Sequence, residues 1–298
     1  MQYAQLGSSS LLISRIGFGC MSLEKENKLN KQILQQAISL GINYFDTADL
    51  YDKGMNEMIV GDALKNKRNE IILATKVGNK WREDGSGWDW NPTKNYIIQA
   101  AEQSLKRLQT DYIDLYQLHG GTLQDPTDET IEAFEILKQQ GKIRFYGISS
   151  IRPNVIKTWI ERSNITSVMM QYSLLDRRPE ELFDLINKNK IGILARGTLA
   201  QGLLINKSAR SVLDYSVEEV AKAKTAINKL SGQNRNAIQT AIQFALYHAE
   251  ISSAIIGIRT MEQLEQAVIG LDRAVLNDNE FKMLNELLSA IFYKDNRI

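Results

Sequence analysis

Four ionisable side chains stand where three successive apolar runs of this sequence end. Asp46 ends the apolar run in "YFDTADLY", and Tyr51 follows it in the same stretch. Lys76 ends "ILATK", and His119 ends "LYQLH". Taken singly, each has an ordinary structural explanation, such as a helix cap or a solvated residue at a strand end. At the ends of three successive strands they indicate a catalytic cluster.

Proton donation to a carbonyl oxygen is the chemistry that this set supports. A free tyrosine titrates near pH ~10 and is a poor acid at neutral pH. A lysine ammonium beside a phenol stabilises the phenolate and so makes the phenol a stronger acid. Lys76 would be that ammonium, Asp46 would keep it charged, and His119 would hydrogen-bond the substrate oxygen. Because no side chain supplies a hydride, carbonyl reduction here needs a nicotinamide cofactor.

Eight short apolar runs alternate with segments of helical spacing. These elements would have to bring the four ionisable residues together. Because the runs are apolar on both faces, they are typical of a parallel sheet covered by helices. Eight strand–helix units in 298 residues predict a (β/α)8 TIM barrel, with catalytic residues at the carboxyl ends of its strands. The alternative is an open doubly wound sheet, but "GFGCMS" lacks the third glycine of a dinucleotide fingerprint. The predicted strands are "SRIGFGCM", "INYFDTA", "EIILATKV", "YIDLYQLH", "KIRFYGIS", "SVMMQYS", "IGILARG" and "SSAIIGI".

Three further segments stand outside the eightfold pattern. "MQYAQLGSSSLLISRIG" predicts an N-terminal β-hairpin that caps the bottom of the barrel. "SVEEVAKAKTAINKLSG" and "NDNEFKMLNELLSAIF" predict extra helices. In "TDETIEAFEILKQQGK" a Thr or Asp would cap the helix, and His248 would be a structural residue in a helical stretch. Without an evident linker, residues 1–298 are predicted to form a single barrel domain.

Composition and charge exclude several classes of function. The 36 basic and 35 acidic residues leave a net charge of +1, which argues against nucleic-acid binding. The single cysteine, Cys20, excludes a disulfide framework and a thiolate metal site within the chain. Neither a signal peptide nor an apolar run of membrane-spanning length is visible, so we expect a cytoplasmic protein with no membrane partner.

The set Asp46, Tyr51, Lys76 and His119 resembles the catalytic tetrad of the aldo-keto reductase family. Other segments match that family nearly end to end and in its order: "FDTADLYDKGMNE", "SLKRLQTDYIDLYQLH", "GKIRFYGISS", "VMMQYSLLDR" and "LAQGLL". The resemblance extends to potassium-channel beta subunit-like members. It implies a (β/α)8 barrel, NADPH-dependent reduction of a small-molecule aldehyde or ketone, no metal, and a monomer.

The resemblance also implies a role for individual residues. Tyr51 would be the general acid, with Lys76 and Asp46 increasing its acidity and His119 orienting the substrate. Ser149, Ser150 and Gln171 would hold the nicotinamide carboxamide, whose donors and acceptors both need partners. The adenosine 2′-phosphate would lie at Gly257 to Gln263, where Arg259 stands near a helix N-terminus. The remaining expected cofactor contacts are Gly19, Met21, Arg196, Gly197, Leu199, Gln201 and Gly202.

The sequence departs from the family pattern at three places. Arg196 stands where many members carry an aromatic residue on the nicotinamide face, and it would either stack there or reach a phosphate. Ser149-Ser150 replaces the usual Ser-Asn pair. Gln266 and Ala267 replace the Glu-Asn pair that commonly contacts adenine.

The sequence is also consistent with two other functions, and it allows two roles for three tryptophans in one loop. The chain could be a regulatory subunit that binds NADPH and senses redox state with low turnover. It could also be a Schiff-base aldolase with Lys76 as nucleophile, although an ion-paired lysine stays protonated. Trp81, Trp88 and Trp90 in "NKWREDGSGWDWNPTKN" would either form a wall for apolar substrates or pin their loop to the barrel.

Overall fold

A computed structural model of the chain describes residues 1–24, 28–232, 234–273 and 275–298. The strands in this part of the chain are β1 Tyr3–Gln5, β2 Leu12–Ser14, β3 Ile16–Gly19, β4 Tyr44–Asp46, β5 Ile72–Val77, β6 Asn79–Trp81, β7 Trp88–Trp90, β8 Ile113–Leu118, β9 Ile143–Ser149, β10 Ser167–Gln171, β11 Gly192–Arg196 and β12 Ile251–Gly257.

Helices surround these strands. The α-helices are α1 Asn30–Ser39, α2 Met55–Leu64, α3 Lys94–Leu108, α4 Thr127–Gln139, α5 Pro153–Arg162, α6 Glu180–Lys188, α7 Val217–Lys229, α8 Ala237–Leu246, α9 Met261–Val268 and α10 Asp278–Asn285. Short 3-10 segments lie at Cys20–Ser22, Tyr51–Gly54, Lys65–Glu70, Ala200–Gly202 and Leu271–Arg273.

Eight of the strands close into a parallel barrel in the order β3-β4-β5-β8-β9-β10-β11-β12. Each of the eight predicted apolar runs supplies one of these strands, so the (β/α)8 prediction is confirmed and the open sheet is ruled out. β4 and β8 are buried along their whole length, as expected for strands that pack on both faces.

The N-terminal hairpin closes the bottom of the barrel, as the sequence predicted. β1 and β2 pair antiparallel, and Leu6, Leu11 and Ile13 pack in one cluster with residues of the barrel strands such as Leu115. The turn adopts a left-handed conformation at Gly7, where a Cβ would lie 2.4 Å from the carbonyl oxygen of Thr166. Only glycine allows this close approach to the start of the sixth barrel strand.

The extra helices are present, and one more element appears that the sequence did not predict. α7 lies between β11 and α8, while the final helix, α10, ends at Asn285 and so is shorter than its predicted segment. β6 and β7 form an antiparallel hairpin directly after β5, in the stretch that was expected to be a loop.

Two details of the sequence prediction were wrong. α4 begins at Thr127 after Pro126, and no side chain caps it, because the proline occupies the capping position. His248 lies beyond the end of α8 rather than within a helix. Its ring packs against Tyr172 and Phe183, so its structural role agrees with the expectation. Among the described residues, no helix is both long enough and apolar enough to cross a membrane.

Candidate active site

The barrel brings the four predicted catalytic residues to one end of three neighbouring strands. Asp46 is the last residue of β4, Lys76 lies one residue before the end of β5, and His119 follows β8 directly. Tyr51 begins the 3-10 segment that follows β4. Since β4, β5 and β8 are adjacent and parallel, their carboxyl ends place these side chains at the mouth of the barrel.

Lys76 is the centre of this group. Its Nζ atom lies 2.6 Å from Asp46 Oδ2, 2.7 Å from the carbonyl oxygen of Thr47 and 3.5 Å from Tyr51 Oη. The Lys76 side chain is 1% exposed. The Tyr51 and His119 rings meet edge to face, with 5.8 Å between their centres.

The charge of Lys76 is maintained by its neighbours. Burial alone would lower the pKa of Lys76, but the Asp46 carboxylate and the Tyr51 hydroxyl outweigh burial, and the pKa is raised. Burial raises the pKa of Asp46, and Lys76 opposes that shift through charge and a hydrogen bond. We therefore treat the pair as an ammonium and a carboxylate.

His119 is held in its neutral form. Burial, followed by the positive charges of Lys76 and Arg196, lowers its pKa to about 3. Its Nδ1 atom is buried and has no hydrogen-bond partner. A neutral imidazole carries one N–H group, which suits it to donate a hydrogen bond to an oxygen at the mouth.

Gln117 also belongs to this group, although it was not predicted from the sequence. Gln117 is fully buried in β8, is paired in register with Lys76, and donates from Nε2 to Asp46 Oδ1 across 3.2 Å. It orients the carboxylate that holds Lys76. The signal was present in the sequence, since "IDLYQL" places an amide among apolar residues two positions before His119.

The residues expected to hold the nicotinamide end of the cofactor lie at the ends of the next strands around the barrel. Ser149 ends β9, Ser150 follows it, and Gln171 ends β10. Within the described residues, the side chains of Ser149 and Gln171 form no hydrogen bond with another protein group, so both can pair with a carboxamide. The Ser150 hydroxyl accepts a hydrogen bond from the amide of Arg152.

The turn after β11 contains two glycines whose missing side chains would let a ligand approach the backbone closely. Gly197 and Gly202 have φ angles of 73° and 91°, and a Cβ at Gly197 would lie 3.2 Å from Gln171 Cγ. The buried Thr198 hydroxyl has no partner. Leu199 and Gln201 follow in the same turn, and Gln201 Oε1 accepts from Arg210. An unpartnered buried hydroxyl directly after Gly197 is a donor that a phosphate oxygen could accept from.

The remaining predicted cofactor residues lie around the first, seventh and eighth barrel strands. Gly19 ends β3, and Met21 is exposed in the turn behind it. Gly257 ends β12, and Gln263 lies in α9, where its Oε1 accepts from the amide of Arg259 across 2.9 Å. Arg259 is exposed, and within the described residues its guanidinium contacts no carboxylate. Gly257, Arg259 and Gln263 thus lie together at the start of α9, where backbone amides and a cation could bind an anion.

Arg196 ends β11 and is half-buried. Among the described residues, no hydrogen bond or ion pair engages its side chain. Its positive charge opposes the rise in the Asp46 pKa and adds to the fall in the His119 pKa, in each case as the smallest of the contributions.

The three loop tryptophans divide into two classes. Trp81 Nε1 donates to the carbonyl oxygen of Leu50 across 3.1 Å, and Trp90 Nε1 donates to Asp125 across 2.8 Å. These two hydrogen bonds attach the β6–β7 hairpin to the loops that follow β4 and β8. Trp88 is 48% exposed. Across residues 1–24, 28–232, 234–273 and 275–298, no cluster of His, Cys, Asp or Glu has a metal-binding arrangement.

Comparison with known proteins identifies the family. The model of the aldo/keto reductase family matches residues 15–289. The oxidoreductase YqkF of Bacillus subtilis strain 168 is 48% identical, with all of both chains covered. The holo form of aldo-keto reductase AKR11C1 from Bacillus halodurans is 47% identical, also over all of both chains, with a TM-score of 0.94. The NADH-specific methylglyoxal reductase of Escherichia coli strain K12 is 28% identical, covering 98% of this chain and 99% of that protein. The chain therefore belongs to the aldo/keto reductase family.

Proposed function

We propose that this protein reduces aldehydes or ketones to alcohols with NADPH and that Tyr51 is the general acid. Aldo/keto reductases are oxidoreductases that use nicotinamide cofactors. The observation that carries the proposal is the buried Lys76 ammonium, which lies between the Asp46 carboxylate and the Tyr51 hydroxyl.

In the proposed reaction, each tetrad residue acts on the carbonyl oxygen or on its neighbour. A nicotinamide cofactor, held by residues that include Ser149, Ser150 and Gln171, would supply the hydride for the carbonyl carbon. Tyr51 Oη gives its proton to the carbonyl oxygen, and Lys76 stabilises the phenolate that remains. Neutral His119 donates a hydrogen bond to the same oxygen as negative charge develops there. The phenolate regains a proton from solvent after the alcohol leaves.

The charge state of Lys76 also argues against an aldolase mechanism. A Schiff base forms only from a neutral amine, and Lys76 is instead ion-paired with Asp46 and hydrogen-bonded to the Thr47 carbonyl oxygen. Its raised pKa keeps it protonated at neutral pH. The lysine is thus suited to stabilise an anion rather than to attack a carbonyl.

The preference for NADPH over NADH is proposed from Arg259. The two cofactors differ by a phosphate on the adenosine ribose, and a free guanidinium at a helix N-terminus favours a dianion. The holo form of a relative supports cofactor binding in this fold, and a more distant relative is named NADH-specific. The choice of cofactor therefore rests on residues of this chain and not on the family.

Substitution of Tyr51 tests the proposed reaction. With a panel of aldehydes and ketones, Tyr51→Phe should lower kcat by about 10²–10⁴-fold, the usual contribution of general acid catalysis. Its cofactor Kd, measured by calorimetry, should stay unchanged, because the ring is kept. Lys76→Met should be as damaging, and Asp46→Asn should be milder, because it leaves the ammonium in place.

The alcohol product should be identified alongside consumption of the reduced cofactor. Residual activity of Tyr51→Phe above about a tenth of the wild-type rate would show that another group donates the proton. A wild-type protein that binds NADPH but turns over none of the panel would support a redox-sensing regulatory subunit instead.

A further inference from the structure

The loop that carries Tyr51 has an unusual backbone immediately after the tyrosine. Asp52 and Lys53 have φ angles of 49° and 55°, and Gly54 follows with a φ of 85°. Left-handed conformations are disfavoured for residues with a Cβ, so two of them in succession persist only where surrounding contacts hold them. The position of the Tyr51 hydroxyl therefore depends on the contacts that maintain the conformation of residues 50–54.

Buried side chains hold the far end of this loop. Thr47 Oγ1 donates to Asn56 Oδ1, and Arg107 Nε donates to Glu57 Oε2, each across 2.6 Å. A Cβ at Gly54 would lie 2.7 Å from Arg107 Cδ, so the arginine packs directly against the loop. These contacts fix the entry at Thr47 and the exit at Asn56 and Glu57. Between them, the amides of Tyr51 and Lys53 donate to the carbonyl oxygens of Ala48 and Leu50 across 3.2 and 3.4 Å, at or beyond the long end of the usual range, so a contact from another element can add to the support of residues 50–53.

Trp81 of the β6–β7 hairpin contacts the loop on both sides of Tyr51. Its Nε1 atom donates to the carbonyl oxygen of Leu50, the residue before Tyr51, across 3.1 Å. The Lys53 ammonium, two residues after Tyr51, lies over the Trp81 ring at 5.0 Å from its centre. A hydrogen bond and a cation–π contact from one side chain thus bracket the tyrosine.

We propose that Trp81 is a positioning residue that holds the Tyr51 hydroxyl within reach of Lys76. The inference rests on the proposed function, because it assigns Trp81 an effect only through Tyr51. The distance from Tyr51 Oη to Lys76 Nζ is 3.5 Å, at the outer limit of a hydrogen bond. Any loosening of the loop therefore separates the two groups.

Two substitutions separate the contacts that Trp81 makes. Trp81→Phe keeps an aromatic face for Lys53 but loses the N–H group, and we expect kcat to fall by about 2- to 12-fold, as for loss of one hydrogen bond. Trp81→Leu loses both contacts, and we expect a fall of about 100-fold, as for a misplaced catalytic group. The cofactor Kd, measured by calorimetry, should stay within about twofold in both variants.

Trp90→Phe is the matched control. It removes an indole hydrogen bond from the same hairpin, but that bond goes to Asp125 and not to the Tyr51 loop. We expect kcat of Trp90→Phe within about twofold of the wild-type value, even if Tm falls. A primary deuterium isotope effect on kcat should increase in Trp81→Phe and not in Trp90→Phe, because only the former slows the chemical step.

A double variant distinguishes failure of this inference from failure of the proposed function. In single-turnover measurements, adding Trp81→Phe to Tyr51→Phe should cost less than about twofold, since Trp81 acts through the lost hydroxyl. If Tyr51→Phe is impaired but Trp81→Phe matches the wild type, or loses equally in both backgrounds, the inference alone is overturned. If Tyr51→Phe keeps the wild-type rate, the proposed function is overturned and this inference with it.

Discussion

His119 shows how burial at the mouth decides the charge of a single residue. Its imidazole is enclosed, and it faces the positive charges of Lys76 and Arg196, so its pKa falls to about 3. In an unfolded chain a histidine titrates near about 6.5. Between these two values the unfolded chain binds one more proton than the folded protein does. The stability contributed by neutral His119 is thus complete above about pH 6.5 and is lost as the pH falls toward 3.

Substituting His119 should therefore make the fold less sensitive to acid. The free energy of unfolding, measured in urea at pH 7 and at pH 5, should fall by about 2 kcal/mol less in His119→Gln than in the wild type. Other titrating groups, including His248, are present in both proteins and cancel in this difference. Equal losses in the two proteins would mean that His119 takes up a proton in the folded state without penalty.

At the scale of elements, the start of α9 is the part that would distinguish the two cofactors. Thr260 caps this helix by accepting from the amide of Gln263, and Gln263 in turn accepts from the amide of Arg259. These two hydrogen bonds order the backbone at the start of α9 and leave the Arg259 guanidinium exposed. The helix end thus presents a positive dipole and an exposed cation together.

Removal of the Arg259 side chain should weaken NADPH binding by about 10- to 150-fold, the value of a charged hydrogen bond. NADH affinity should change little, because NADH has no group for this arginine. Calorimetry with both cofactors at one salt concentration would measure the change. Arg273→Ala, which removes an exposed arginine beyond α9, is the control for net charge. Equal weakening of both cofactors by Arg259→Ala would assign Arg259 to the shared pyrophosphate.

The elements differ in how far the sequence could predict them. The eight barrel strands were predictable because each is apolar on both faces, and the four tetrad residues were predictable because each follows such a run. The β6–β7 hairpin was not predictable, because "NKWREDGSGWDW" is polar between its tryptophans. Its two strands pair with each other and lie outside the barrel sheet. The left-handed residues Asp52 and Lys53 were not predictable either, since surrounding contacts impose conformations that their own preferences oppose.

In the whole molecule, a cluster that stabilises the barrel lies at one end and the proposed catalytic residues lie at the other. At the bottom, the buried Asp114 side chain joins three elements. Its Oδ2 atom accepts from Arg68 Nη2 and from the amide of Leu73, across 2.6 and 2.9 Å, and its Oδ1 atom accepts from Arg144 across 3.0 Å. These groups lie at the opposite end of β5 and β8 from Lys76 and His119.

Asp114→Ala should consequently destabilise the protein without impairing the reaction. It leaves the Leu73 amide without its acceptor and the charge of Arg68, 12% exposed, without a carboxylate, although Arg68 keeps its hydrogen bonds to Thr110, Ile71 and Tyr112. This change should cost about 3 kcal/mol. In a chain of this length Tm should fall by roughly 5 °C, while kcat measured well below Tm should stay within about twofold. Asp89→Ala is the matched control, because it breaks an ion pair with Arg82 that lies in solvent, and its Tm should not change. A fall in kcat of Asp114→Ala at a temperature where the protein is folded would show instead that the bottom of the barrel is coupled to the Lys76 site.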